Sequence, residues 1–289
     1  MQQRIDAFAD TEIEMQRGQT NVPFLPVAFL NTSVYGDAEI DRPGGDVRYD
    51  VSSVSQAAGI PFAPTQEDMV VVGEYLSWSH FEFSEPDIGK FDVFSIGLPL
   101  GWLRQINPDW QAAAFVMPLG HKSSQDGADW SWQYLGGGFG RYVASDTLWW
   151  AFGLYFDISE EDDFYIPYLG ASWALDQYWT LSAIMPWPAV LYAPNQDWLF
   201  RLGVSPSGAS WSVSGSDEDV AVNLDAWDFG LSAETRLGGS WWLSGELGVG
   251  GFRGFRVTES GTDSPDIDVG ASGFVSLKLN YRPQLSSFF

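Results

Sequence analysis

Few side chains in this sequence are of the types that enzymes use as nucleophiles or general bases. The 289 residues include Cys 0 and His 2, which excludes cysteine nucleophiles, thiolate metal sites and histidine-rich metal sites. His80 stands beside Ser79 and near Glu82, three residue types that hydrolases combine. Successive residues of a strand point to opposite faces, so Ser79 and His80 cannot share a site. The second histidine, His121, is expected to lie exposed at a loop edge.

Other catalytic patterns are also lacking in the sequence. There is no Gly-x-Ser-x-Gly nucleophile elbow, and no spacing singles out a pair among the 38 acidic residues. The sequence therefore predicts no catalytic residue, no metal site and no cofactor. A membrane lipid-modifying enzyme stays only as a less favoured alternative.

The charge balance limits the partners of the protein. Lys+Arg 14 against Asp+Glu 38 gives a net charge of −24, so nucleic acid is excluded as a partner. No stretch approaches the ~20 apolar residues of a membrane-spanning helix. The first six residues lack the apolar core of a signal peptide, so an exported form would already have lost one.

Large apolar residues alternate with small or polar ones over long stretches. In residues 267–281 the first set is Ile267, Val269, Ala271, Gly273, Val275, Leu277, Leu279 and Tyr281. The intervening residues are Asp268, Gly270, Ser272, Phe274, Ser276, Lys278 and Asn280. Residues 148–156 and 227–237 alternate in the same way. Apolar residues outside a closed sheet and small polar ones inside are typical of a transmembrane β-barrel. The alternative is a soluble all-β protein with an aromatic-rich core, such as a carbohydrate-binding protein.

The predicted fold is all-β: a transmembrane antiparallel up-and-down β-barrel of about twelve strands, with ten or fourteen as alternatives. Residues 69–289 form the barrel and residues 1–20 a polar tail. Residues 21–68 are a lead-in, extra strands or a lumen insert. Two prolines within residues 185–188 interrupt strand pairing, and residues 205–208 are expected to form a bulge.

Short turns alternate with longer, acidic connections along the barrel. Aromatic residues favour the membrane–water interface, and five tryptophans that follow short turns are predicted to lie there: Trp110, Trp149, Trp179, Trp198 and Trp241. The acidic loops are interpreted as solvated surface, in preference to divalent-cation sites under lipopolysaccharide. Membrane lipids and lipopolysaccharide are the predicted partners.

With its alternating strands, short turns, acidic loops and C-terminal Phe289, the chain resembles Gram-negative outer-membrane β-barrel proteins. Leu285 and Tyr281 continue the alternation before Phe289, although Ser287 and Pro283 interrupt it. Residues 184–198 also resemble part of an uncharacterised outer-membrane barrel family, a domain of unknown function. The resemblance implies a location in the outer membrane and contact with its assembly machinery during insertion, without implying a reaction.

The inward face of the barrel suggests a function. Alternation places seven charged residues toward the lumen: Arg201, Asp228, Glu234, Arg236, Glu246, Lys278 and Arg282. Such charges predict a porin-like channel or transporter for small solutes, or ion pairs that brace a plugged structural barrel. Inward glycines, among them Gly136, Gly140 and Gly153, are expected to leave space. The gap at Pro186 and Pro188 raises a further alternative, lateral uptake of an apolar molecule. The sequence marks neither a solute nor a subunit interface.

Overall fold

Long antiparallel strands account for most of the chain. The computed structural model describes residues 13, 19–40, 47–84, 89–125, 127–159, 163–214, 219–259, 262–263 and 267–282. Its strand segments are β1 Ala28–Ile40, β2 Val47–Phe62, β3 Asp68–Phe83, β4 Lys90–Gly97, β5 Leu100–Asn107, β6 Trp110–Ser123, β7 Trp130–Val143, β8 Leu148–Ser159, β9 Asp163–Ala174, β10 Trp179–Met185, β11 Ala189–Asn195, β12 Trp198–Ser214, β13 Asp219–Gly238, β14 Trp241–Glu259, β15 Thr262–Asp263, β16 Ile267–Val269 and β17 Ser272–Tyr281. No helix in this part of the chain is long and apolar enough to cross a membrane.

The sheet closes on itself because β1 pairs with β2 on one side and with β17 on the other. Segments β4 and β5 occupy one position between β3 and β6, interrupted at Leu98 and Pro99. Segments β15, β16 and β17 likewise follow one another beside β14. The described segments therefore form a closed antiparallel barrel of fourteen strands, two more than the main prediction.

The additional strands are β1 and β2, so the barrel begins at Ala28 and the predicted start at residue 69 is wrong. Of the three interpretations of residues 21–68, the structure shows the extra strand pair. The apolar outward residues of β1 are Leu30 and Val34, separated by the exposed Thr32. One polar residue in the outward row weakened the signal. Of the predicted tail at residues 1–20, only Ile13, Gln19 and Thr20 lie among the described residues.

The predicted assignment of the two faces is confirmed. On β13, Phe229 and Leu231 are exposed on the outer surface, whereas Asp228 and Ser232 are buried. The same contrast holds on β8, where Trp150, Phe152 and Leu154 are exposed. Apolar side chains therefore form the outer surface of a closed sheet, an arrangement that is stable in lipid.

Among the glycines predicted to face the lumen, Gly136 and Gly140 lie on the outer surface instead. Gly140 pairs with the outward Phe152, and Gly136 pairs with Phe156. A Cβ atom on either glycine would overlap the ring of its partner. These glycines accommodate outward aromatic rings from the next strand, so they add no space to the lumen. Gly153 lies on the inner face of β8, as predicted, and the ring of Phe139 packs beside it.

The proline-containing segments differ from each other. Residues 205–208 lie within the uninterrupted strand β12, where Pro206 pairs with Trp227 in regular register, so the predicted bulge is wrong. Residues 186–188 form the connection between β10 and β11, which have 7 residues each. Their long neighbours β9 and β12 continue past this connection without them.

Candidate functional site: the barrel lumen

The inner surface of the barrel differs from one side to the other. Strands β12–β14, β17 and β1 carry charged and hydroxyl side chains, which we call the polar wall. Strands β6–β9 carry a group of aromatic side chains between two polar layers. Six of the seven predicted lumen residues lie on the polar wall, some of them at its end nearest the short turns. The seventh, Arg236, lies at the rim formed by the short turns.

Near the short turns, Arg282 and Glu234 form a buried ion pair. Arg282 Nη2 lies 2.7 Å from Glu234 Oε2, with side-chain exposures of 7% and 12%. Asn280 Nδ2 donates to the same carboxylate oxygen at 3.3 Å. The guanidinium also donates to the carbonyl of Phe24 and lies 5.7 Å from the ring centroid of Trp242. This cluster joins β13, β17 and the segment that precedes β1.

Half-buried charges line the polar wall farther into the barrel. Ser232 pairs with both Arg201 and Glu246, which places these two charges on adjacent sides of one strand. Arg201 Nη2 donates to the carbonyl of Val204 at 2.6 Å, and Lys278 Nζ lies 5.3 Å from the ring centroid of Phe29. Within the described part of the chain, no ion pair joins Glu246 to Arg201 or Lys278. Arg201 and Lys278 are therefore held by a backbone carbonyl and an aromatic ring rather than by a carboxylate.

The remaining predicted lumen residues serve local contacts. Asp228 is buried, and its Oδ2 accepts a hydrogen bond of 2.6 Å from the hydroxyl of Tyr35. Arg236 Nε donates to the carbonyl of Gly239 at 2.7 Å, and Nη1 lies 3.4 Å from Asp197 Oδ1. Arg236 therefore braces two short turns at the rim of the barrel.

Five aromatic rings on the opposite side form a continuous group, the aromatic patch. Its members are Phe115, Phe139, Tyr155, Tyr168 and Trp187. Centroid distances are 5.9 Å for Phe115–Phe139, 6.3 Å for Phe115–Tyr155 and 4.9 Å for Phe139–Tyr168. Trp187 lies 5.6 Å from Tyr155 and 6.1 Å from Tyr168. The patch was not predicted, although alternation on each strand assigns four of its members to the inner face.

A polar network covers the side of the patch nearer the long loops. Ser95 Oγ lies 2.8 Å from His121 Nδ1, and His121 Nε2 lies 3.1 Å from Gln133 Oε1. Gln133 Nε2 then donates to both oxygens of Asp157 at 2.7 and 2.8 Å. His121 is buried, so the expectation of an exposed loop position is wrong. Ser95 and His121 are both buried, and the network joins the four strands β4, β6, β7 and β8.

The other histidine is on the outer surface. His80 Nδ1 lies 2.7 Å from Asp92 Oδ1, and the His80 ring stacks on Trp78 at 6.0 Å. Glu82 pairs instead with Lys90. The pairing Ser53–Ser79 places Ser79 beside the inward-facing Ser53. Ser79 and His80 therefore face opposite sides of the wall, as alternation requires.

A second polar layer covers the side of the patch nearer the short turns, and it contains Trp149. Gln111 Nε2 donates to Gln105 Oε1 at 2.6 Å, and Arg141 Nη1 donates to Gln111 Oε1 at 3.0 Å. The Arg141 guanidinium lies 4.4 Å from the centroid of the Trp149 ring. Trp149 is only 3% exposed, so its prediction as an interface residue is wrong. Alternation on β8 places Trp149 inside and its neighbour Trp150 outside.

The other four predicted interface tryptophans are exposed on the outer surface: Trp110, Trp179, Trp198 and Trp241. Each is the first residue of a strand that follows a short turn. Near the long loops a second set of aromatic side chains is exposed: Trp78, Trp130, Trp132, Tyr134 and Tyr165. We propose that both sets lie at lipid headgroups, because this is where amphipathic rings are most stable.

The segment before β1 crosses the end of the barrel that carries the short turns. Asn21 N donates to the carbonyl of Gln177 at 2.8 Å, and Asn21 Nδ2 donates to that of Ala193 at 3.2 Å. Val22 is buried against Ala193 and Leu199, on the far side from β1. This segment therefore occupies part of the opening at that end.

The acidic loops lie mostly outside the described residues. Residues 85–88, 160–162 and 215–218, at the centres of three of these loops, are not among the described residues. Among the residues that the structure describes, no group of three or more histidines and carboxylates is placed to hold a metal ion.

Comparison with solved structures finds this fold among outer-membrane proteins. An outer membrane channel from Pseudomonas putida F1 is similar with a TM-score of 0.51 and 9% identity, over 92% of this chain and 99% of its own. Less similar are the translocator domain of the autotransporter NalP from Neisseria meningitidis (TM-score 0.43, 12% identity, 90% and 89% covered) and the Pseudomonas putida toluene transporter TodX (TM-score 0.38, 10% identity, 88% and 89% covered).

No protein-family profile and no curated protein matches the sequence, so the resemblance of residues 184–198 to an uncharacterised barrel family finds no support. The fold itself is decided by the closed antiparallel sheet and its apolar outer surface. With these features, the chain is a β-barrel protein of the bacterial outer membrane.

Proposed function

We propose that the protein is a channel for small solutes across the outer membrane. The observation that supports this most directly is the exposure of inward-facing side chains at mid-height. Phe115 points into the barrel and remains 36% exposed. Arg201, Glu246 and Lys278 are half-buried on the polar wall. The lumen thus retains accessible space lined by charges, as a selective pore requires. The fold is shared with an outer membrane channel.

A structural barrel with a plugged lumen is the second candidate. It is favoured by the segment around Val22, which crosses the opening near the short turns. Buried ion pairs and polar networks would also brace such a barrel. The two candidates differ in whether ions cross a membrane that contains the protein.

Reversing the charge of Lys278 is expected to make the channel more selective for cations, because a half-buried lumen ammonium becomes a carboxylate. The measurement is the reversal potential of Lys278→Glu in planar bilayers under a salt gradient. Lys90→Glu is the matched control, since Lys90 is exposed near the long loops and pairs with Glu82. The control should leave the reversal potential unchanged. No current from the native protein would reject the channel in favour of the plugged barrel.

Releasing the segment before β1 is expected to increase conductance. Val22 is 6% exposed against Ala193 and Leu199, so Val22→Asp places a carboxylate in an apolar contact and detaches the segment. Leu25→Asp is the control, because Leu25 is 68% exposed. Single-channel recordings that give the same conductance for Val22→Asp and the native protein would show that the segment does not restrict the pore.

A further inference from the structure

The barrel wall has a gap on the side of the long loops, bounded by β9 and β12. Strand β9 pairs with β10 only over residues 169–174, so Asp163 to Tyr168 pair with β8 alone. Strand β12 pairs with β11 only as far as Gly203, and Ser205 to Ser214 pair with β13 alone. The connection at residues 186–188 forms the edge of the gap that is nearest the short turns. The six residues of β9 that have no partner strand on the β10 side make the gap roughly 20 Å long at ~3.3 Å per residue.

Prolines mark both strand edges of the gap. Pro167 lies on the unpaired part of β9 and Pro206 on that of β12. Proline has no amide hydrogen, so it is placed on edges that do not receive another strand. Pairing of these edges with a second chain is therefore disfavoured, and the gap is part of the wall as it stands.

Strand β12 also narrows the direct route along the barrel axis. It contacts β6 and β7, which lie on the opposite side of the barrel. The part of β12 nearest the short turns is held in the wall by β11. The part that contacts β6 and β7 is therefore the one beyond Gly203. That part therefore approaches the opposite wall of the barrel, which narrows the opening toward the long loops.

The aromatic patch begins at the gap and leads inward. Trp187 lies in the connection at residues 186–188, which borders the gap. Tyr168 is the last residue of β9 before its pairing with β10 begins. From these two rings the contacts continue through Tyr155 and Phe139 to the exposed Phe115. The patch is bounded by the His121 network on one side and the Arg141 layer on the other. An apolar surface between two polar layers selects against charged solutes.

We infer that the gap is a lateral opening through which uncharged apolar molecules, about one or two aromatic rings in size, pass between the outer leaflet and the lumen. Apolar molecules concentrate in lipid, and a ring sliding along the patch exchanges one apolar contact for another. Edge-to-face contacts of the kind seen in the patch suit aromatic ligands. This inference rests on the proposed channel and adds both a ligand class and a route.

The test uses uptake of 1-N-phenylnaphthylamine, an apolar fluorescent probe, by intact Gram-negative cells that produce the protein. Phe115→Asp should reduce the uptake rate to that of cells without the protein, because it places a carboxylate in the patch. Ser145→Asp places the same group in an exposed short turn outside the lumen and should leave uptake unchanged. Heat-modifiable mobility on a denaturing gel verifies that each variant forms a barrel.

A second variant tests the route, using the absence of cysteine in the sequence. Ile166→Cys, on the unpaired part of β9, is labelled with a bulky maleimide, which should stop probe uptake. The same label on Thr32→Cys, on the outer face of β1, should have no effect. Ion conductance is recorded in parallel. If the labelled Ile166→Cys variant conducts ions and still takes up the probe at the normal rate, the lateral route is overturned and the channel is retained. If the native protein conducts no ions, the channel itself is rejected. A dimer that pairs the edges of β9 and β12 in solution would also overturn the inference.

Discussion

Replacement of Arg282 by methionine is expected to lower the free energy of unfolding by about 3–5 kcal/mol. Glu234, with a side chain only 12% exposed, would then retain a buried charge without its partner. The carbonyl of Phe24 would lose a donor at the same time. The measurement is urea-induced unfolding of the barrel in lipid vesicles, followed by tryptophan fluorescence.

The double variant Arg282→Met/Glu234→Gln separates the ion pair from the packing of Arg282 on Trp242. Without a buried charge, the double variant should recover most of the lost stability. Lys90→Met is the matched control for an exposed pair and should change stability little. Equal stability of Arg282→Met and the native protein would mean that Glu234 reaches solvent or another cation.

Much of the fold follows from a two-residue period, because a side chain in a barrel wall faces either lipid or lumen. The alternation in residues 267–281 and 227–237 assigns both faces correctly, and the same two-residue period locates twelve of the strands. Strand β1 has a weaker pattern because Thr32 interrupts its apolar row, and a barrel can tolerate one polar outward residue. The number of strands therefore depended on a segment with a weak pattern.

The lumen was less predictable because alternation gives the face of a residue without its height or its neighbours. Charged residues such as Lys278 were assigned to the inner wall on sequence alone. The aromatic patch is not predicted because its rings lie on successive strands, and which of them meet depends on the strand register, which alternation does not give. Trp149 illustrates the same difficulty: its place after a turn suggested lipid, but its parity on β8 directs it toward Arg141.

The gap between β9 and β12 links a local sequence feature to the arrangement of the lumen. Pro186 and Pro188 shorten β10 and β11, and this local effect removes two strands from the outer half of the wall. The wall remains stable there only if the exposed edges find other partners or are shielded from pairing, which Pro167 and Pro206 favour. A feature read from sequence as a weakness in pairing thereby becomes the element that gives the patch access to the membrane.

Placing arginine at Leu231 is expected to cost about 2–4 kcal/mol of stability, since this residue lies near the bilayer midplane. Leu231 is 48% exposed on the outer surface and pairs with the outward Leu202 and Leu247. It stands seven residues before the end of β13 at Gly238, roughly 23 Å along the strand at ~3.3 Å per residue. Unfolding from lipid vesicles measures the loss.

Two controls make the Leu231 result specific to depth in the membrane. Leu237→Arg places the same charge on the same face beside a short turn, where a cost of about 0–1 kcal/mol is expected because the guanidinium reaches the headgroups. Ser232→Ala changes the adjacent, inward residue and should cost little. A soluble barrel would tolerate arginine equally at Leu231 and Leu237, since both are exposed to water there. Unequal costs in the expected order require an apolar medium whose effect increases toward the middle of the outer surface.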